Sequence, residues 1–135
     1  MRVISQQEKR IKGMKIQYHI MNWLNLRAPT SEEKTELDAY DNDGNSYEIK
    51  SCSLFIRRLD RKSQARFGRF ELTNDYPSTP DFFIFVVYYK SRIIFVKKIS
   101  YKDVAPMIDK RKAHITNIAD KGEELDLPEN AYTLE

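Results

Sequence analysis

The stretch DAYDNDGNSYEIKSC, residues 38–52, decides how this chain is read, because it sets a turn between two strand-like runs and gathers ionisable groups around it. Asp41 to Gly44, DNDG, is a turn signal, and the runs on either side, residues 35–41 and 46–56, alternate or cluster as strands, which predicts a hairpin. Successive side chains on a strand point to opposite faces, so Glu48 and Lys50 share one face while Tyr47, Ile49 and Ser51 occupy the other. A two-residue loop at Asp43 and Gly44 would set Asp38 opposite Ile49. A three-residue loop, Asn42, Asp43 and Gly44, sets Asp38 opposite Glu48 instead. The second loop suits the sequence, since its last position needs the left-handed backbone that glycine adopts without strain. Asp38, Glu48 and Lys50 are therefore expected to converge.

A calcium loop is the obvious rival and fails on spacing. When Gly44 is aligned with the glycine of an EF-hand loop, Ala39 falls where the first ligand belongs and Lys50 where the bidentate glutamate must be.

Outward from this stretch, the apolar spacing of Ile11, Met14, Ile16, Tyr18, Ile20, Met21, Trp23 and Leu24 predicts a long helix over residues 4–26 with a broad buried face, ending before Pro29. Downstream, RFGRFEL reads as a short extended piece and NDYPSTP as a loop. The run DFFIFVVYYK is apolar on both faces, as in a strand buried on both sides, and KSR turns it into IIFVKKI. SYKDVAPMI begins a helix capped near Ser100 or Tyr101, complicated by Pro106. The acidic tail, from about residue 121, is expected to lie at the edge of the fold.

At 135 residues with 41% hydrophobic content, the chain suits a single domain over 1–135 with a real core. Cys52 is the only cysteine, which excludes an intrachain disulfide and a cysteine-based zinc site. The polar start MRVISQQEKR and the lack of a long apolar run point to a soluble, cytoplasmic protein with no membrane partner.

The net charge of +3 is less informative than its distribution. Residues 57–69 carry six basic side chains and one acidic, residues 2–15 five and one, and residues 31–48 seven acidic against Lys34 alone. Acidic groups flanked by basic surface fit a metal-dependent enzyme acting on a polyanion, because phosphates must approach carboxylates that would otherwise repel them. Two carboxylates on one face can hold Mg²⁺ through oxygen ligands, while Lys50 positions or helps to deprotonate the attacking water and offsets charge on phosphorus. Metal-assisted phosphodiester hydrolysis is the reading that uses all three groups.

These residues resemble the PD-(D/E)XK nuclease superfamily, which includes type II restriction enzymes and archaeal Holliday junction resolvases. LDAY supplies Asp38, and YEIKSC supplies Glu48, Ile49 and Lys50 as the EXK element; RIKGMKIQYHIMNWL looks like the first helix, GRFEL and DFFIFVVYY like later core elements. The resemblance covers residues 8 to about 104. It implies an α/β fold with a restriction endonuclease-like core, a mixed four- or five-stranded sheet flanked by helices. It also implies a Mg²⁺- or Mn²⁺-dependent DNA endonuclease, with Asp38 and Glu48 as metal ligands and Lys50 as the catalytic lysine. Two departures stand out: Leu37 replaces the proline before Asp38, and Gln17 stands where the helix often carries a glutamate, leaving Glu8 as a substitute.

Around that centre, Arg57, Arg58, Arg61, Lys62, Arg66 and Arg69 are read as phosphate contacts because they follow the proposed catalytic strand, with Gln64 an accessory. Glu36 is read as an ion-pair partner for Lys50, His19 and His114 as packed or exposed side chains, Cys52 as a small buried residue, and Tyr88 and Tyr89 as core. Cutting both strands of a duplex needs two active sites, which predicts a homodimer. Two other functions stay open: a nucleic-acid-binding module of the same fold without catalysis, and a structural subunit whose basic stretch docks an acidic protein.

Overall fold

Phe82–Tyr89, FFIFVVYY, is a run of aromatic and β-branched residues that is best accommodated by a strand covered on both faces. The protein, seen in a computed structural model that describes residues 6–33, 37–58, 64–72, 79–108 and 112–134, puts this run at the centre of a five-stranded mixed sheet. The chain forms helix α1 (Gln6–Trp23), then strands β1 (Ala39–Tyr40), β2 (Ser46–Ser53), β3 (Phe55–Arg58), β4 (Gln64–Phe67), β5 (Arg69–Glu71), β6 (Phe82–Tyr89) and β7 (Arg92–Ser100). Helix α2 (Tyr101–Val104), strand β8 (Lys112–His114), helix α3 (Ile115–Ala119) and strand β9 (Glu123–Glu124) complete it.

The main sheet runs β1-β2-β6-β7-β9, with β2 parallel to β6 and the other pairs antiparallel. Strands β3 and β4 form a two-stranded sheet of their own, as do β5 and β8. On one face of the main sheet Tyr47, Ile49, Ile84 and Val86 pack under Ile16, Ile20 and Met21 of α1. On the other, Phe83, Phe85, Val87 and Ile99 pack under Phe70, Val104, Ala113 and Ile118. The result is an α/β fold whose mixed sheet has helices on both faces.

Several elements differ from the expectation. Helix α1 is not buried around a broad face: Ile11, Met14 and Tyr18 are 50%, 50% and 60% exposed. Their spacings of three and four residues make one stripe, opposite the stripe of Ile16 and Ile20 that meets the sheet. Residues 46–56 are not one strand, because at Leu54 the chain leaves the sheet after donating its N–H to the Tyr88 carbonyl at 2.6 Å. RFGRFEL likewise divides at Gly68 into strands of two different sheets. The helix begun at Tyr101 lasts four residues before a 3-10 turn over Ala105–Met107, as Pro106 lacks the N–H to continue it.

The C-terminal segment is part of the core. Strand β9 extends the sheet edge at Lys97 and Lys98, and Leu127, Ala131 and Leu134 are buried beneath α1 and β7. Its apolar residues are too sparse to show a period, so burial there depends on contacts distant in sequence. Among the described residues no helix is long and apolar enough to cross a membrane.

Candidate active site

The hairpin closes with the three-residue loop. Ala39 pairs with Tyr47 and Tyr40 with Ser46, so one step further along the same register sets Asp38 across from Glu48 and leaves Asn42, Asp43 and Gly44 in the loop. Gly44 has φ +85° and ends it in the left-handed region. Asp41 fastens this turn: its Oδ1 accepts N–H bonds from Asp43 and Asn45, both at 2.9 Å, and its Oδ2 accepts from Asn45 Nδ2 at 3.0 Å and the Tyr47 hydroxyl at 2.8 Å. Against the burial that raises it, these bonds, Asn45 and Tyr47 foremost, hold the Asp41 carboxyl down at about 2.

Glu48 is a buried acid, only 6% exposed, beside Phe83 on the neighbouring strand. Its Oε1 accepts the Asp38 N–H at 3.2 Å, and Asp38 Oδ2 accepts the Ile49 N–H at 2.8 Å. Each carboxylate is thus aimed by the backbone of the strand bearing the other. Burial first, and then the Asp38 charge, pushes the Glu48 carboxyl up to about 7, despite the opposing pull of Lys50 and of the Asp38 N–H. Burial also raises Asp38, against the Ile49 N–H and Lys50. Lys50, half-buried and two residues along the same face, is the cation that acts on both.

One oxygen of each acid, Asp38 Oδ1 and Glu48 Oε2, takes no hydrogen bond from the described residues. Two adjacent, partly dehydrated carboxylates are hard-oxygen donors that fit a small divalent cation keeping water or substrate phosphate in its remaining positions. No set of three or more His, Cys, Asp or Glu side chains able to hold a metal is found among the described residues. No protein-family model and no curated protein matches the chain. The chemistry of the site is therefore read from its own residues.

The other expected residues are placed as follows. Gln17 and Glu8 ride on α1, which packs through Ile16 and Ile20 onto the Tyr47 and Ile49 face, opposite the face of Glu48 and Lys50. Cys52 is buried on the Glu48 face among Phe85 and Val87. His19 Nε2 bonds the Ala131 carbonyl at 2.6 Å and ties α1 to the C-terminal segment, whereas His114 is exposed on β8. Tyr88 is partly buried against the core beside α1, and Tyr89 against the other core. Arg57 and Arg58 lie on β3, Gln64 and Arg66 on β4, and Arg69 on β5; Glu36, Arg61 and Lys62 lie outside the described residues.

Asp81 is a positioning residue that sequence reasoning missed. Its Oδ2 accepts the Ser46 N–H at 2.9 Å and the Ser46 hydroxyl at 3.2 Å, and its own N–H reaches Ser46 at 3.0 Å, locking the start of β2 to the start of β6. The partners are 35 residues apart, so no local signal marks them. Asp41 is different. An aspartate two residues before a loop aspartate and three before a glycine carries the Asx-turn pattern, and that signal was available.

Proposed function

We propose that this chain is a metal-dependent DNA endonuclease of the PD-(D/E)XK kind, hydrolysing phosphodiester bonds with Mg²⁺ or Mn²⁺. The observation that carries the reading is the pairing of Asp38 with buried Glu48, both raised toward protonation, with the Lys50 ammonium two residues on along the same face. A folded protein has little reason to bury one acid beside a second, half-buried one unless a cation joins them. Asp38 and Glu48 would hold that cation, their orientation set by the Ile49 and Asp38 N–H groups. When bound, it would supply Lewis-acid polarisation of a phosphate oxygen and make water more acidic. Lys50 orients the attacking water and offsets the charge that grows on the phosphorane-like transition state. The basic residues of β3, β4 and β5 hold the phosphate backbone, and a second copy of the chain supplies the second cut of a duplex.

The test is cleavage of a panel of duplex, flap, junction and single-stranded DNAs with Mg²⁺ or Mn²⁺. Wild type is expected to cut at least one, and Glu48→Ala to cut none while binding as well or better, since one charge that repels phosphate has gone. One observation favours a second reading, a DNA-binding module without catalysis: Gln17 sits on a helix packed against the other face, so no third carboxylate comes from that position. Binding without cleavage by wild type, unchanged in Glu48→Ala, would decide for it.

A further inference from the structure

Helix α1 has an outer face that the described part of the fold leaves exposed. Ile16 and Ile20 bury its inner stripe against the sheet, and the Lys12 ammonium lies 5.4 Å from the centre of the Tyr88 ring on that side. Gln7, Ile11, Met14, Tyr18 and Asn22 follow one another at steps of four, three, four and four residues, so they form a single outer stripe. All five are exposed. The stripe is apolar from Ile11 to Tyr18 and polar at both ends, which limits the apolar part to roughly 10 Å of helix.

Its rim is basic. Arg10, four residues before Met14, borders the stripe on one side; Lys15, four after Ile11 and three before Tyr18, borders it on the other, and both are exposed. Over the whole helix Lys9, Arg10, Lys12 and Lys15 stand against Glu8 alone. That charge makes a second copy a poor cover. A two-fold axis through the middle of the apolar stripe passes between Met14 and Lys15, which sets each Lys15 beside its twin and one net-positive helix against another. A lipid surface is also a poor match, since a helix that lies on a membrane sinks a long apolar face, whereas Gln7 and Asn22 close this one after about two turns. A crossing helix fits that length: helices packed ridge into groove touch locally, with axes roughly 8–10 Å apart.

We propose that the outer face of α1 is a docking surface for a helix of another protein, one that carries an apolar stripe bordered by Asp or Glu. The apolar side chains of that helix cover Ile11, Met14 and Tyr18. Its carboxylates meet Arg10 and Lys15 at the rim, where they select the partner and its direction more than they add affinity. Because α1 packs on the Tyr47 and Ile49 side of the sheet, docking does not reach the side of Glu48 and Lys50, and the proposal stands apart from the chemistry assigned there.

The test uses the whole chain and two phage-displayed libraries of helical peptides, randomised among apolar residues along one stripe and bordered by Glu in the first library and by Lys in the second. Wild type is expected to enrich peptides from the Glu library at least about tenfold over the Lys library, and Met14→Asp to weaken their binding at least about tenfold. Arg10→Glu combined with Lys15→Glu should reverse the preference and enrich the Lys library instead. Both variants change exposed positions, and thermal unfolding like that of wild type shows that each keeps the fold. Equal enrichment from the two libraries, or from neither, overturns the proposal, as does peptide binding that survives Met14→Asp. Sedimentation that finds a wild-type dimer split by Met14→Asp overturns it in favour of a second copy. Binding to vesicles of phosphatidylglycerol and phosphatidylcholine that is lost in Met14→Asp, with no enrichment from either library, overturns it in favour of a lipid surface.

Discussion

Glu48 is the residue at which burial and function meet. The folded chain keeps a proton on it up to about pH 7, while the unfolded chain releases that proton near the usual 4.5. The stability this contributes is fully present below the unfolded value and is lost as pH rises through the folded one. Asp38, shifted in the same direction by burial, adds to the effect. The melting temperature of the metal-free protein should therefore fall between about pH 5 and about pH 8. Glu48→Gln should flatten that fall, and Mg²⁺ should raise the melting temperature more at the upper pH than at the lower, since the ion competes with protons for the same oxygens. A wild-type profile that rises over this range would contradict the burial of Glu48. The neighbouring loop carries a smaller cost: Gly44→Ala forces a Cβ into the left-handed region at φ +85° and should reduce unfolding free energy by about 1 kcal/mol, read from the denaturant midpoint.

Among the elements, the hairpin was legible because its information is local. The loop length, the glycine at its end and the alternation after it lie within fifteen residues, and the register they imply is the register observed. Asp41→Ala removes the acceptor of four hydrogen bonds that brace this turn, and should cost about 2 kcal/mol and loosen the facing of Asp38 and Glu48. A denaturant midpoint equal to wild type would show that the turn holds without it. The ends of β2 and β4 were not legible. At Leu54 and Gly68 the chain changes sheet because Tyr88 and Ile115 take their backbone groups, and both partners are more than thirty residues away. Gly122 marks a similar distant dependence at the β7–β9 edge. Its φ is +70°, and a Cβ there would lie 2.6 Å from the Lys98 carbonyl oxygen, so Gly122→Ala should destabilise by more than Gly44→Ala in the same titration.

For the whole molecule, the C-terminal segment holds the core together on one side. Leu127, Ala131 and Leu134 fill the layer under α1, and the His19 bond to the Ala131 carbonyl joins the two ends of the chain. Leu127→Ala should cost about 2–4 kcal/mol, and removal of residues 126–135 should abolish cooperative thermal unfolding. If the truncated chain melts as sharply as the full one, the segment does not belong to the core. Light scattering with and without duplex DNA tests the second copy, which is expected to appear at least when DNA is present. The sequence by itself determined the α/β class, the central strand Phe82–Tyr89, and the hairpin that faces Asp38 with Glu48, because hydrophobic period and turn chemistry act over a few residues. Only the tertiary structure decided the parallel pairing of β2 with β6, the anchoring of Ser46 by Asp81, the changes of sheet at Leu54 and Gly68 and the burial of Leu134. Each of these joins residues far apart along the chain, and such contacts form only when the whole core closes, so no short window of sequence contains them.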